Sequence, residues 1–342
     1  MNNDKENKEN PIARRQFLRT CGTIIAGGSV VAVSGTLLKR TMGKEPMQTA
    51  NLLPVYKENT ASPYKLIASF DIGVTGANNA MKCFELYKDK LYVADVQKVS
   101  VFDISGKQVN NFAVENNVRD IAVSDDEIYL LYPTGIDVYS LTGEKIRNWE
   151  ACSDNSDYCS FTLSAEFVFV TDASNKHICK YDRQGGFVKF INSPNRFIIP
   201  SYTFGIEVVN DVLYCSNSGR HQVESFSLDG VYLGSFGKAG GAAGLFTGCC
   251  NPVHISATSW GDVITSEKGD PRISCYGSDG KFRSILLDSK SLGGGNKAYD
   301  VKTQDDKLYV AGANKISIFQ FDKNSGNDTA CGSCAVNCPL RV

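Results

Sequence analysis

The feature that most constrains this chain is a sixfold recurrence of short apolar strands. Leu91-Tyr92-Val93, Ile128-Tyr129-Leu130, Phe167-Val168-Phe169, Leu213-Tyr214-Cys215, Val263-Ile264-Thr265 and Leu308-Tyr309-Val310 begin 37, 39, 46, 50 and 45 residues apart. Each is followed by a strand that ends in an aromatic: Val101-Phe102, Val138-Tyr139, Lys180-Tyr181, Ser225-Phe226, Cys275-Tyr276 and Ile318-Phe319. Gly106, Gly143, Gly185, Gly230 and Gly280 then mark turns into fourth strands. Four short strands per unit, at a period of roughly 40–45 residues, predict the blades of a propeller. A solenoid suits the pattern less well, because β-rich turn chemistry recurs several times within each unit.

The sixth unit supplies an internal check. After Phe319-Gln320-Phe321 the chain lacks a fourth strand and continues as a polar, Gly-containing tail. The missing piece lies at the other end, where Tyr64-Lys65-Leu66-Ile67-Ala68-Ser69-Phe70 matches fourth strands such as Val231-Tyr232-Leu233-Gly234-Ser235-Phe236. Tying the first strand into the last blade removes the unpaired edges of a circular array. The expectation is an all-β, six-bladed β-propeller over residues 64–322, closed by an N-terminal strand. Residues 41–63, with Pro46, Pro54 and Pro63 among polar residues, read as a linker, and 323–342 as a cysteine-rich tail. The unit from Leu213 to Phe246, through Ser218-Gly219-Arg220-His221-Gln222-Val223 and Gly234-Ser235-Phe236-Gly237, resembles the NHL-repeat propellers. That resemblance implies a protein that binds partners or ligands, with enzymes a minority, and fold alone does not choose among these uses.

The N-terminus reads as an address. Ala13-Arg14-Arg15-Gln16-Phe17-Leu18-Arg19 precedes an apolar run from Thr20 to Leu38 and the basic pair Lys39-Arg40. Such a segment is left out of fold reasoning. Arg14-Arg15 with Phe17-Leu18 resembles the twin-arginine export signal, so residues 1–40 are expected to be a signal or membrane anchor. Residues 20–38 are long enough to span a bilayer, and no small-x-small cleavage site precedes Lys39. The resemblance implies a bacterial protein exported after folding, to the periplasm or the outer face of the cytoplasmic membrane. It also implies a cofactor inserted before transport.

Twelve cysteines is a high count for a chain of 342 residues, and their placement is uneven. Cys331-Gly332-Ser333-Cys334-Ala335-Val336-Asn337-Cys338-Pro339 has the C-x2-C-x3-C-P spacing of the second half of a bacterial ferredoxin run, which it resembles. The first cysteine of that run is absent, so the tail cannot supply four thiolates. Cys249-Cys250, ahead of Asn251-Pro252-Val253-His254, offers the fourth, and the expected cofactor is an iron–sulfur cluster of the [4Fe-4S] type. Zinc bound by four thiolates fits the same residues, and disulfide staples are a third use of them. A first strand starts on one face of a propeller, whereas the third strand of the last blade ends on the other. The ten steps from Phe321 to Cys331 reach about 33–36 Å, enough to cross a strand about 20 Å long.

The remaining residues have plainer expectations. Cys152 and Cys159 bracket a polar loop and read as a local disulfide rather than a metal site. Cys83, Cys179, Cys215 and Cys275 fall singly on strands, as small buried hydrophobes do. His177 and His221 fall in connections between second and third strands, while His254 alone occupies a first strand, short of a three-histidine axial site. Glu267-Lys268 reads as a polar pair or a solvated turn, and the glycines of 237–248 lack the following helix of a phosphate cradle. No acid–base or nucleophile–base constellation is visible, so an electron-transfer or binding protein is expected rather than an enzyme. Lys plus Arg (36) nearly cancels Asp plus Glu (37), which argues against general nucleic-acid affinity. The expected partner is an envelope redox or binding protein. The alternative function is a ligand- or protein-binding propeller with a stapled or zinc-binding tail.

Overall fold

A computed structural model describes residues 62–72, 83–95, 97–115, 117–258, 260–312 and 314–322. They form six four-stranded antiparallel sheets. Blade one is β2 (Cys83–Tyr87), β3 (Lys90–Ala94), β4 (Lys98–Asp103) and β5 (Gln108–Ala113). Blade two is β6 (Asp120–Ser124), β7 (Glu127–Tyr132), β8 (Gly135–Ser140) and β9 (Lys145–Glu150). Blade three is β10 (Tyr158–Leu163), β11 (Phe167–Asp172), β12 (His177–Asp182) and β13 (Phe187–Ile191). Blade four is β14 (Ile206–Val209), β15 (Val212–Asn217), β16 (Gln222–Ser227) and β17 (Tyr232–Phe236). Blade five is β18 (His254–Ala257), β19 (Val263–Glu267), β20 (Arg272–Tyr276) and β21 (Phe282–Leu287). Blade six takes β22 (Asp300–Gln304), β23 (Lys307–Ala311) and β24 (Lys315–Phe321) from the end of the chain and β1 (Tyr64–Asp71) from its beginning. The closure predicted from the count of strands is therefore present, with Tyr64 opposite Phe321 and Phe70 opposite Ile316.

Burial follows position in the blade. Second and third strands are buried on both faces, which is why they read as continuous apolar runs, whereas fourth strands such as β9 alternate with solvent. The apolar side chains gather into six clusters, one at each seam between neighbouring blades. Tyr92 and Val99 of blade one thus pack with Ile128 and Leu130 of blade two. Each fully buried side chain of this size contributes about 1.5–3 kcal/mol. No blade has a core of its own.

The repeated glycines serve these seams. Phe70, Phe112, Trp149, Ile191 and Phe236, near the ends of fourth strands, lie over Gly106, Gly143, Gly185, Gly230 and Gly280 of the next blade. Gly143 combines two demands: its φ is +94°, and an added Cβ would collide with the Phe112 ring. The recurrent turn glycine and the recurrent fourth-strand aromatic are the two halves of one contact.

The register also fixes the two faces of the ring. First-strand starts lie level with second-strand ends and third-strand starts, as in Cys83↔Ala94↔Val99 and Asp300↔Ala311↔Ile316. The first strands start together around one cavity, and that side is the mouth face. β24 runs away from it and ends at Phe321, level with Tyr64. β24 therefore ends on the opposite face to Cys249 and Cys250, as the strand count predicted.

Gly269 has nearly the same φ as Gly143, +90°, but nothing lies within 4 Å of its would-be Cβ. Gly143→Ala is therefore expected to cost about 1–3 kcal/mol more than Gly269→Ala, through overpacking alone. Urea unfolding of the two variants measures the difference. Equal losses would mean that backbone strain, and not the aromatic seam contact, requires glycine there.

Candidate functional site

Six first strands converge on the axis and wall a central cavity. Cys83, Asp120, Cys159, His254 and Asp300 line its half toward the mouth, and Glu85 and Thr162 the other half. Phe161, Glu207 and Lys302 face both. Lys302 Nζ stands 2.9 Å from Glu85 Oε2. Burial works against its charge, yet Glu85, Asp300, Glu207 and Asp120 together hold its pKa well above the ordinary value. Burial pushes Glu207 up to about 7, although Lys302 and a 2.8 Å bond from Thr162 Oγ1 favour its anion. Burial likewise lifts Asp120 to about 6, against Lys302 and Ser160 Oγ at 2.7 Å. His254 is lowered by burial, so its imidazole is neutral at pH 7. The axis is a polar, carboxylate-rich site with one central ammonium group. Sequence reasoning found His254 there but missed Glu85, Asp120, Glu207, Asp300 and Lys302. The available signal was charge recurring on first strands.

Cys249 and Cys250 sit just before β18, on the mouth face. Cys249 is exposed and Cys250 buried, with Cys250 Sγ 3.9 Å from Ser201 Oγ. Burial, and then the adjacent Cys249 thiol, raise the Cys250 pKa. The loop beneath is tightly held. Asn251 Nδ2 donates to the carbonyls of Thr247 (2.7 Å) and Lys268 (2.9 Å), and Lys268 N donates back to Asn251 Oδ1 at 2.9 Å. Glu267 is wholly buried, pairs with Arg272 Nε at 2.6 Å and accepts from Thr247 N at 3.0 Å. Arg272 in turn donates to the carbonyls of Gly241 and Leu245, strapping the glycine-rich loop. Glu267 is thus a buried structural anion, not a member of a solvated turn. Its partner lies five residues on, across the turn joining β19 and β20, where spacing alone did not reveal it.

A third group of thiols lies between blades two and three. Cys152 Sγ is 3.1 Å from Cys179 Sγ on β12, and His177 and Asp172 complete a set whose ligand atoms all lie within 4.8 Å of one another. Such a group can hold a metal ion. The local Cys152–Cys159 disulfide expected from spacing is not formed: Cys159 Sγ points to the Asp157 carbonyl at 3.7 Å and faces the axial cavity instead. β10 begins at Tyr158 and carries Cys159 toward the axis, while Cys152 stays in the seam. Cys179 is as buried as a small hydrophobe should be, yet it has a thiol partner. His177 opens β12 opposite Asp172 and is not a free connection residue. Cys83, Cys215 and Cys275 are buried on strands as expected. Cys331, Cys334, Cys338 and the Arg14–Leu18 segment lie outside the described residues.

No family model matches the chain, and no curated protein does. Solved structures do. A catalytically inactive virginiamycin B lyase from Staphylococcus aureus with quinupristin is 15% identical, with TM-score 0.54, covering 76% of this chain and 100% of that one. A streptogramin B lyase is 16% identical, with TM-score 0.55, covering 76% and 98%. A Bacteroides thetaiotaomicron protein of unknown function is 12% identical, with TM-score 0.56, covering 75% of each chain. At these identities the likeness bears on the fold alone, a six-bladed propeller.

The axial carboxylates make stability depend on pH. Their folded pKa values, about 6 and about 7, exceed the ordinary 3.8 and 4.5, so the native state keeps protons that the unfolded chain has released. This contribution is present below pH 4 and is lost as pH rises through 7. Asp120→Asn with Glu207→Gln is expected to make the fall in urea midpoint between pH 5 and pH 8 shallower than in the parent. An unchanged fall would mean that these carboxyls titrate normally.

Proposed function

We propose that this chain is an exported bacterial propeller that carries a [4Fe-4S] cluster and serves a redox assembly at the cell envelope. Cys331, Cys334 and Cys338 supply three thiolates, and Cys249 or Cys250 the fourth. The observation that carries this reading is the thiol pair itself. An exposed thiol stands beside a buried one on a loop fixed by the Glu267–Arg272 pair and Asn251. A rigid pedestal limits the reorganisation that accompanies electron transfer and holds a ligand ready for an incoming soft metal. The ferredoxin-like spacing of the tail supports iron over a generic cation. The ten steps from Phe321 allow the tail to cross the ring, and the twin-arginine-like signal supports a cofactor assembled before transport.

A second reading rests on the axial cavity. Four carboxylates around Lys302, with neutral His254 at the mouth, suit a small ligand bearing an amine and hydrogen-bonding groups. In that case the tail cysteines are staples or a zinc site, and the partner is a ligand or a protein docking on the mouth face.

Purified anaerobically from cells with active cluster assembly, the protein is expected to contain about four iron and four acid-labile sulfide per chain. Changing Cys249 and Cys250 to Ser, singly and together, identifies the fourth ligand. A colourless protein with disulfides mapped to the tail cysteines would overturn the cluster and leave the binding reading. Replacing Arg14-Arg15 by Lys-Lys is expected to stop export, with precursor retained inside the cell. Unchanged translocation would remove the twin-arginine assignment.

A further inference from the structure

We infer that Cys152, Asp172, His177 and Cys179 form a zinc site that clamps the connection between blades two and three to β12, separate from the tail centre. His177 and Cys179 are two residues apart on one strand and so point to the same side of the sheet. Asp172 is the register partner of His177, and Cys152 arrives from the connection after β9. Four side chains from three segments thus meet at one point in the seam.

The separations leave room for one ion between these side chains with small adjustments. A disulfide needs an S–S separation of about 2.05 Å. Two thiolates on a tetrahedral zinc, with Zn–S of about 2.3 Å, stand roughly 3.8 Å apart. The observed 3.1 Å lies between the two. His177 Nε2 is buried without a hydrogen-bond partner, and Asp172 Oδ2 is 3.7 Å away. That gap is too wide for a hydrogen bond. It is near the roughly 3.4 Å edge that nitrogen and oxygen span when both bind one zinc. A buried, unpaired ring nitrogen is costly, and coordination removes the cost.

The surroundings are those of a metal site. Asp172 is held by the amides of Asp157, Ser174 and Asn175 on Oδ1 and by Asn175 Nδ2 on Oδ2, leaving Oδ2 with spare acceptor capacity. Tyr158 Oη accepts from Cys152 N at 3.1 Å and lies 3.5 Å from its sulfur, and Tyr181 Oη is 2.5 Å beyond. Such outer contacts orient ligands. The Phe190 ring, 4.2 Å from the His177 ring, covers the imidazole. Two sulfurs, one imidazole and one carboxylate favour a borderline-soft ion with tetrahedral geometry over magnesium or calcium. Each cysteine gives up its thiol proton on binding the ion. Zinc then displaces two protons as two Zn–S bonds form, with no change of oxidation state.

The test uses full-length protein in which Cys249, Cys250, Cys331, Cys334 and Cys338 are changed to Ser, so that neither the tail centre nor the thiol pair that serves it can affect the result. Cobalt(II) is the probe, added to reduced protein. One equivalent is expected to bind with a sulfur-to-cobalt charge-transfer band, zinc is expected to displace it, and two protons are released. Cys152→Ser, in a half-buried loop, and His177→Ala should each abolish the band. Should either variant misfold, the spectrum of the parent decides. Folded, reduced protein that binds neither cobalt nor zinc overturns the site. So does a Cys152–Cys179 disulfide found after thiols are trapped at cell lysis.

Discussion

The structure depends on the seam between blades. A single four-stranded sheet here is wetted along its outer strand and has no core until a neighbour covers it. Apolar second and third strands of one blade meet the first and second strands of the next, and a fourth-strand Phe, Trp or Ile closes over the neighbour's turn glycine. Because each blade is completed by the next, the array must close on itself. β1 performs that closure by pairing with β24, and without it two sheet edges would be open to association.

Closure determines where chemistry can occur. It turns six first strands toward one axis, bringing Glu85, Asp120, Glu207, Asp300 and Lys302 together although they span most of the chain. Burial there favours neutral carboxyls, and Lys302 opposes it. The same closure ends β24 on the face opposite Cys249 and Cys250. In the seam between blades two and three, dense packing holds two thiols, an imidazole and a carboxylate within bonding range of a single ion.

Much of the fold was legible because propeller strands are local. Leu91-Tyr92-Val93 and its five counterparts, the turn glycines and the displaced Tyr64–Phe70 strand define blade number and closure without any long-range contact. The sites were less legible because they are long-range. Lys302 and Glu85 lie 217 residues apart in sequence, and neither stands in a motif. Cys152 looked like the partner of Cys159, seven residues on, but β10 begins between them and turns Cys159 to the axis. Cys179 looked inert because burial masks the thiol across the seam. Cys249-Cys250 was visible as a pair, but the buried Glu267–Arg272 tie that steadies it was not.

Soft-metal capture by thiolates is the claim on which the functional account stands. Native mass spectrometry of the intact chain, purified without oxygen, tests it most directly. The account predicts a mass above that of the polypeptide by one iron–sulfur cluster and one zinc, with every cysteine alkylated once the metals are removed. A mass equal to the polypeptide less two hydrogens per disulfide would contradict it.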